Sequence, residues 1–109
     1  MLAKKHRLPK EAKIKNGNAY SSRFFLLKTE KNNKELSRFG FVVSKKISKS
    51  AVVRNRIKRQ IRRCVEENIN TIISGIDMLF IVKKDSINRT TEEICLSLNK
   101  IFKKENLIR

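Results

Sequence analysis

The chain has 109 residues, of which 27 are Lys or Arg and 10 are Asp or Glu, so its formal net charge at pH 7 is +17. This length suits one domain, residues 1–109, with a modest hydrophobic core. The 39% hydrophobic content supports a folded rather than a disordered chain. Because such a charge opposes a compact fold through self-repulsion, it favours a polyanionic partner, either nucleic acid or an anionic membrane.

A membrane is the weaker of the two partners. The longest apolar run, from Met78 to Val82, is far too short to span a bilayer. No apolar segment follows the basic N-terminus, so we expect no signal peptide. The two cysteines, Cys64 and Cys95, are too few for a disulfide framework or a zinc site. We expect both to be buried free thiols in a cytoplasmic protein.

The N-terminal third predicts one short helix and two strands. Residues 1–16 form a basic segment in which Pro9 suits the first turn of a helix reaching Lys15 at most. A turn is expected at 16–18, followed by a short strand at 19–22 and a longer one at 23–29. Alternation along the longer strand places Phe24, Leu26 and Lys28 on one face.

The middle of the chain predicts a hairpin and then a long helix. Residues 31–35 are polar and favour a turn that closes a hairpin onto a return strand at 38–44. Gly40 in that strand indicates a bulge or a close approach to the backbone. Ser50 is the expected N-cap of a helix from Ala51 to Ile73 that ends at Gly75.

The last third predicts a strand and a final helix. Residues 76–82 form the most apolar strand, expected at the centre of the sheet and covered on both faces. A helix begins near 90–93 with acids in its first turn, as the helix dipole prefers. The resulting order, α-β-β-β-α-β-α, is typical of an α+β two-layer sandwich with a four-stranded sheet.

The long helix carries the strongest functional signal. Residues 44–63 hold nine Lys or Arg and no acid. In the wider acid-free zone from Leu36 to Val65, Val53, Ile57, Ile61 and Cys64 recur at helical spacing, so one face packs on a core while the other stays positive. Arginine predominates there, and its planar guanidinium suits bidentate contact with phosphate. We interpret this face as a phosphate-binding surface rather than a merely solvated one.

The order of residues around this helix is more specific than its charge. It reads Val42-Val43-Ser44-Lys45-Lys46, then Ala51-Val52-Val53-Arg54-Asn55-Arg56-Ile57-Lys58-Arg59, then Ile61-Arg62. Supporting segments are His6-Arg7-Leu8, Arg23-Phe24-Phe25-Leu26-Leu27, and Gly75 and Asp77 before the apolar strand and Lys83-Lys84 after it. Together these segments closely resemble the protein subunit family of bacterial ribonuclease P over essentially the whole chain.

The resemblance implies a function and one feature of topology. Members of the family bind a large catalytic RNA, and the holoenzyme hydrolyses one phosphodiester bond to remove the 5′ leader of precursor tRNA. The RNA provides the active site and holds the catalytic Mg²⁺, so no catalytic residue and no metal ligand is expected on this chain. One protein per RNA is expected. The family fold has a left-handed crossover from the third strand through the long helix to the fourth.

The resemblance also implies two sets of RNA-contacting residues. Those expected to face the catalytic RNA are Lys45, Lys46, Arg54, Asn55, Arg56, Lys58, Arg59, Arg62 and Arg63. Those expected to contact the leader, in a cleft over the sheet, are Ile14, Phe24, Lys28 and Lys84.

The leader set departs from the family pattern. The two Phe of the family's first helix are missing, Ile14 alone falls near one of their positions, and Lys28 stands where many members have Tyr. Stacking of leader bases is therefore weakened, and electrostatic guidance by Lys28, Lys84 and Arg23 replaces it in our hypothesis. Phe24 is either a stacking residue or a core residue.

Other classes of protein explain less of the sequence. A protein-only nuclease lacks an active site here, because His6 is the single histidine and the acid pairs at 66–67 and 92–93 diverge by about 100° on a helix. A ribosomal or RNA-assembly protein fits charge and size but not the ordered signature. A helix-turn-helix DNA regulator needs a short helix just before the recognition helix, where strands are predicted instead.

Overall fold

The computed structural model describes residues 4–9, 14 and 17–109. It contains the strands β1 (Asn18–Ser21), β2 (Phe25–Lys31), β3 (Arg38–Val42) and β4 (Ile76–Val82), and the helices α1 (Ala51–Glu67) and α2 (Thr91–Lys104). Short 3₁₀ turns lie at Lys4–His6 and Lys84–Ser86. Most of the helix predicted for 9–15 lies outside the described residues. The remaining order confirms the predicted α+β sandwich.

The four strands form one mixed sheet in the order β1-β2-β4-β3. β2 is antiparallel to both β1 and β4, whereas β3 runs parallel to β4 and is joined to it through α1. The predicted hairpin between β2 and β3 is therefore wrong, because β4 lies between them. The central position of β4 buries Met78 and Phe80 fully in the core. The free energy gained by burying these apolar side chains favours this strand order, and a local turn signal does not reveal it.

The inner face of the sheet is buried beneath the helices and the outer face is half-exposed. Phe25 and Leu27 on β2 are fully buried, while Leu26 and Lys28 on the outer face are half-exposed. The predicted alternation of β2 is thus confirmed. β4 alternates in the same way, so the prediction that both of its faces are covered is wrong.

Phe24 does not share the outer face with Lys28. The tight turn between β1 and β2 is fixed by the Ser22 hydroxyl oxygen, which accepts hydrogen bonds from the amides of Phe24 and Phe25 at 3.2 Å each. The turn places two successive phenylalanines in the core, and Phe24 is only 8% exposed. β2 begins at Phe25 rather than at residue 23.

Helix α1 begins where predicted and ends earlier. The Ser50 hydroxyl accepts the Val53 amide at 3.3 Å as the N-cap, and Ile57, Ile61 and Cys64 are fully buried. The helix ends at Glu67 because the Asn68 side chain caps it, donating to the Cys64 carbonyl at 2.9 Å. The chain beyond then follows the C-terminal tail instead of the helix axis. Gly75, with a φ of 75°, shapes the turn into β4.

Helix α2 packs beside α1 and is covalently joined to it. A capping box between Thr90 and Glu93 starts α2, and its buried residues are Ile94, Leu98 and Phe102. A disulfide joins Cys64 to Cys95, whose Cα atoms are 5.2 Å apart. The expectation of free thiols is therefore wrong. Residues 31 positions apart become neighbours only through the packing of the two helices, which spacing alone does not show.

The N-terminal segment 4–9 lies against the edge of β3. The Leu8 amide donates to the Phe39 carbonyl at 2.9 Å, and His6 Nδ1 lies 2.8 Å from the Ser37 carbonyl oxygen. A Cβ atom on Gly40 would lie 3.0 Å from Leu79 and 3.2 Å from Leu8. The predicted close approach at Gly40 is thus confirmed.

Candidate nucleic-acid interface

Three loops carrying most of the loop cations meet at one end of the sheet, which we call the basic end. β3 and β4 run parallel and both finish there, while β2 and the two helices begin there. The loops are 22–24, 43–50 and 83–90, and Asp85 is their single acid. Their cations are Arg23, Lys45, Lys46, Lys49, Lys83, Lys84 and Arg89.

The loops at the opposite end of the sheet are electrically balanced. Segments 32–37, 68–75 and 105–109 carry Lys34 and Arg109 against Glu35 and Glu105. The three loops of the basic end therefore carry more net positive charge than the three loops opposite, and they adjoin helix α1.

The outer face of α1 presents the predicted cations to solvent. Arg56, Arg59 and Arg63 are exposed, as is the neighbouring Asn55. Half-buried cations flank this exposed row, and they are Arg54, Lys58 and Arg62. A shallow depression on the helix surface is lined by Val52, Asn55, Lys58, Arg59 and Arg62. The structure thus brings the predicted helical residues together on one continuous surface.

The start of α1 is held rigidly. Arg54 Nη1 donates to the Ser48 carbonyl at 2.8 Å, which fixes the loop preceding the helix. Lys45 and Lys46 lie exposed in the same loop. The positive end of the helix dipole adds to their charge, so this corner favours an anion.

Arg62 is supported by an aromatic stack that the sequence did not reveal. Its guanidinium carbon lies 5.5 Å from the centre of the Phe41 ring, and Phe41 stacks on Phe80 with ring centres 5.5 Å apart. A groove beside β3 is lined by Arg62 and Lys58 on one side and residues 7–9 on the other. Such a support orders the arginine while leaving its N–H edge available.

Few acids neutralise the face of α1. Arg63 pairs with Glu67 at 3.5 Å, in a pair that is more than half-exposed on both sides and is therefore weak. Arg56 contacts the Asn88 side chain at 3.4 Å. Arg59 makes no hydrogen bond or ion pair with the described residues, so its full donor set is open to a ligand.

The four residues of the predicted leader set do not form one cluster. Lys28 lies half-buried on the outer face of the sheet, paired in register with Leu79. Lys84 is exposed in the turn after β4, and Ile14 is half-buried next to Gly17. Phe24 belongs to the core, so it does not join Lys28 on the outer face.

The outer face of the sheet combines an aliphatic row with charged residues, which are Lys28, Glu30, Arg38 and Asp77. Leu26, Ile81 and Val42 lie side by side in register across three strands. Asp77 accepts hydrogen bonds from Arg38 at 2.8 and 3.0 Å. Burial raises the pKa of Asp77, but hydrogen bonds from Arg38 and Asn32 outweigh it, so the net pKa is lowered. The outward strand positions of the described chain include no aromatic residue.

The described residues offer neither a metal site nor a membrane span. Residues 4–9, 14 and 17–109 contain no group of three or more His, Cys, Asp or Glu placed to hold a metal ion. No helix in the same part of the chain has the length and apolar character needed to cross a bilayer.

Comparison with known proteins agrees with the geometry. The family described as Ribonuclease P matches residues 2–106. The ribonuclease P protein component of Bacillus cereus is 37% identical over 113 residues, covering 99% of this chain and 97% of the relative. That of Fusobacterium nucleatum is 38% identical over 96 residues, covering 84% and 86%.

Solved structures show the same fold. The RNase P protein of Staphylococcus aureus superposes with a TM-score of 0.84 at 30% identity, covering 95% of this chain and 98% of that one. The RNase P protein of Thermotoga maritima gives a TM-score of 0.74 at 26% identity, covering 82% and 84%.

Fold and surface define a small α+β protein built to bind a polyanion, with one rigid cationic helix beside a basic sheet end. The sequence and structure matches narrow this class. The chain belongs to the ribonuclease P protein family, and it is a protein subunit of a ribonucleoprotein endoribonuclease. The ribosomal and RNA-assembly interpretation is not favoured, since it accounts for neither set of matches.

Proposed function

We propose that this chain binds the catalytic RNA of ribonuclease P and the 5′ leader of precursor tRNA, and thereby assists removal of the leader in the cytoplasm. In this proposal one protein binds each RNA. The RNA carries the active site and its Mg²⁺, which supports the attack of water on the scissile phosphodiester. The protein supplies binding and orientation and no catalytic group.

The cationic face of α1 is the observation that carries this proposal. The buried stripe of Ile57, Ile61 and Cys64 fixes the helix on the core, so the opposite face is presented as a rigid surface. The fixed helix positions the backbone of these cations, and the planar guanidinium group loses less conformational entropy per hydrogen bond than a lysine ammonium group does. We assign the catalytic RNA contact to the set Lys45, Lys46, Arg54, Asn55, Arg56, Lys58, Arg59, Arg62 and Arg63.

We propose that the leader is contacted by lysines and aliphatic side chains, in contrast to the arginine-rich contact of α1 with the catalytic RNA. We assign leader contact to Lys28 and the aliphatic row on the outer face, together with Lys84 in the turn after β4 and Ile14 next to Gly17, because no outward strand residue of the described chain offers an aromatic ring. The burial of Phe24 favours its structural role, since stacking on a leader base would require it to leave the core. The leader is thus held by charge and aliphatic contact, which are independent of sequence.

Cleavage of a precursor tRNA at low, near-physiological Mg²⁺ tests the proposal. The assay compares a ribonuclease P RNA alone, the protein alone and both together. Efficient cleavage only with both is expected, and it should be lost when Arg54, Arg59 and Arg62 are changed to Ala. Tight RNA binding without any stimulation of cleavage would instead support the ribosomal or assembly alternative.

A further inference from the structure

The ring of Phe24 at the basic end is flanked by two guanidinium groups. The guanidinium carbon of Arg23 lies 5.8 Å from the ring centre and that of Arg89 lies 5.4 Å from it. The ring itself is only 8% exposed, whereas the side chains of Arg23 and Arg89 are 63% and 29% exposed. A buried ring therefore supports two cations that reach the surface.

Both guanidinium groups are fixed in place with donors to spare. Arg23 Nε contacts the Asp85 carboxylate at 3.3 Å, and Arg89 Nε donates to the Asp85 carbonyl at 3.0 Å. Arg89 Nη1 also lies 3.4 Å from Glu93. The terminal nitrogens of Arg23 and Nη2 of Arg89 make no hydrogen bond within the described part of the chain, so they remain open to a ligand.

The loop that holds Arg89 is bonded to helix α1. Gln60 Nε2 donates to the Arg89 carbonyl at 2.9 Å, and Arg56 Nη2 lies 3.4 Å from Asn88 Oδ1. On the other side of the loop, Lys83 Nζ donates to the Ser22 carbonyl at 2.7 Å. The surface is therefore continuous from α1, across residues 83–90, to the turn that carries Arg23.

The local charge favours an anion on this surface. Four cations, Arg23, Lys83, Lys84 and Arg89, surround the two acids Asp85 and Glu93. The acid contacts are partly or largely exposed, and exposed ion pairs of this kind are weak. They orient the guanidinium groups more than they neutralise them, which leaves the terminal nitrogens of Arg23 and Nη2 of Arg89 as donors for phosphate.

We propose that Arg23 and Arg89 bind phosphates of the same catalytic RNA that α1 binds, so that the RNA interface extends around the basic end. This inference rests on the proposed function. It moves Arg23 from the leader-guiding group to the catalytic RNA group, because Arg23 shares the Phe24 ring with Arg89, whose carbonyl is bonded to Gln60 of α1. The leader residue Lys28, by contrast, lies on the outer face of the sheet.

Equilibrium binding of the catalytic RNA over a salt series tests the inference. The double variant Arg23→Gln/Arg89→Gln is compared with Lys34→Gln/Arg109→Gln, which removes the same charge from exposed residues of the opposite end. Losing two phosphate contacts should weaken binding on the order of ten-fold and reduce the slope of log affinity against log salt by about 1 to 2. The control pair should stay within about two-fold of wild type with little change in slope.

Two further measurements separate a binding role from a structural one. Thermal unfolding of each variant reports folding, and Arg23→Lys/Arg89→Lys keeps the charge while losing the planar fork, so it should retain most of the salt slope. A lowered melting temperature with unchanged RNA affinity would mean that the pair only supports the loop, and would overturn the inference.

The same assay distinguishes this inference from the proposed function. If wild type binds the RNA and Arg54→Ala/Arg59→Ala/Arg62→Ala does not, the α1 contact is established. An unchanged RNA affinity of Arg23→Gln/Arg89→Gln would then refute only the extension of the interface around the basic end. If the Gln variant binds the catalytic RNA normally but its holoenzyme loses affinity for precursor tRNA with a leader, the pair serves the leader and the inference fails. Wild-type protein that does not bind the RNA would overturn both.

Discussion

Helices α1 and α2 pack side by side with similar apolar stripes, yet their charges follow opposite rules. α2 has Glu92 and Glu93 in its first turn and Lys103 and Lys104 in its last, as the helix dipole prefers. α1 has no acid in its first turn and no base in its last. It begins with Arg54 in its first turn and ends on adjacent glutamates at 66–67.

The difference separates charges placed for stability from charges placed for a partner. Each unfavourable charge at a helix end costs roughly 0.3–1 kcal/mol when exposed, so the helix-coil preference of α1 alone does not explain its pattern. Its buried stripe of Ile57, Ile61 and Cys64 holds it on the core instead. In our proposal the charges on the outer face of α1 serve RNA binding, whereas those at the ends of α2 follow the preference of the helix dipole.

Removing cations from each helix is expected to have the largest effect and the clearest contrast. Arg54→Ala/Arg59→Ala/Arg62→Ala should lower affinity for the catalytic RNA by at least about 3 kcal/mol, or more than 100-fold. Lys100→Ala/Lys103→Ala/Lys104→Ala on α2 should change it only a few-fold. Filter binding over a salt series measures both, and wild type should show a slope of roughly −5 to −7 for six to eight contacts. Equal losses of RNA affinity in the two variants would contradict the proposal that α1, and not α2, contacts the RNA.

The disulfide between the helices is expected to matter for stability and not for RNA contact. It closes a loop between residues 31 positions apart, and losing such a link costs about 3.5 kcal/mol by chain entropy. Urea unfolding of Cys95→Ala, or of wild type with a thiol reductant, should show this loss, and reductant should not affect the variant further. A fall in RNA affinity of the still folded variant would show that the link, rather than core packing, sets the face of α1.

The starts of both helices were predictable from the sequence because their signals are local. Ser50 and Thr90 lie within three residues of the amides that they cap. The end of α1 was not predictable, because Asn68 is held by Asn99 on the other helix. The place of β4 between β2 and β3, and the disulfide, likewise depend on contacts between distant segments that no local pattern encodes.

The candidate site also has features that a local sequence pattern predicts and features that depend on contacts between distant segments. The cationic face of α1 follows from helical period and charge within a single segment, and the structure brings those residues together. Strand alternation predicts Phe24 on the same face as Lys28, and the Ser22 turn interrupts that alternation. The supports of Arg62 by Phe41 and of Arg89 by Phe24 join residues more than 20 positions apart, so sequence reasoning missed them.

The N-cap of α2 should stabilise the protein more than the N-cap of α1, in line with the favourable acidic first turn of α2. Thr90 takes part in a capping box with Glu93, whereas Ser50 accepts a single amide hydrogen bond. Thr90→Ala should destabilise the protein by about 1–2 kcal/mol and Ser50→Ala by about 0.5–1 kcal/mol. Chemical denaturation of both variants measures the difference. A larger cost at Ser50 would mean that α1 depends on its own start more than on the core.

The smallest expected effect is the pH dependence that Glu93 contributes at the start of α2, which is separate from that of Asp77. The Thr90 backbone hydrogen bond is the main cause that lowers the pKa of Glu93, with help from the Thr90 hydroxyl and Arg89. A lowered folded pKa gives stability that is present above the unfolded value of about 4.3 and is lost as pH falls through the folded value. The free energy of unfolding of wild type should therefore exceed that of Glu93→Gln by its full amount near pH 6, and this excess should shrink below about pH 4. A serine hydroxyl does not titrate in this pH range, so the difference in the free energy of unfolding between wild type and Ser50→Ala should not change with pH. If that difference also shrank below about pH 4, the acid sensitivity would belong to the whole fold and not to Glu93.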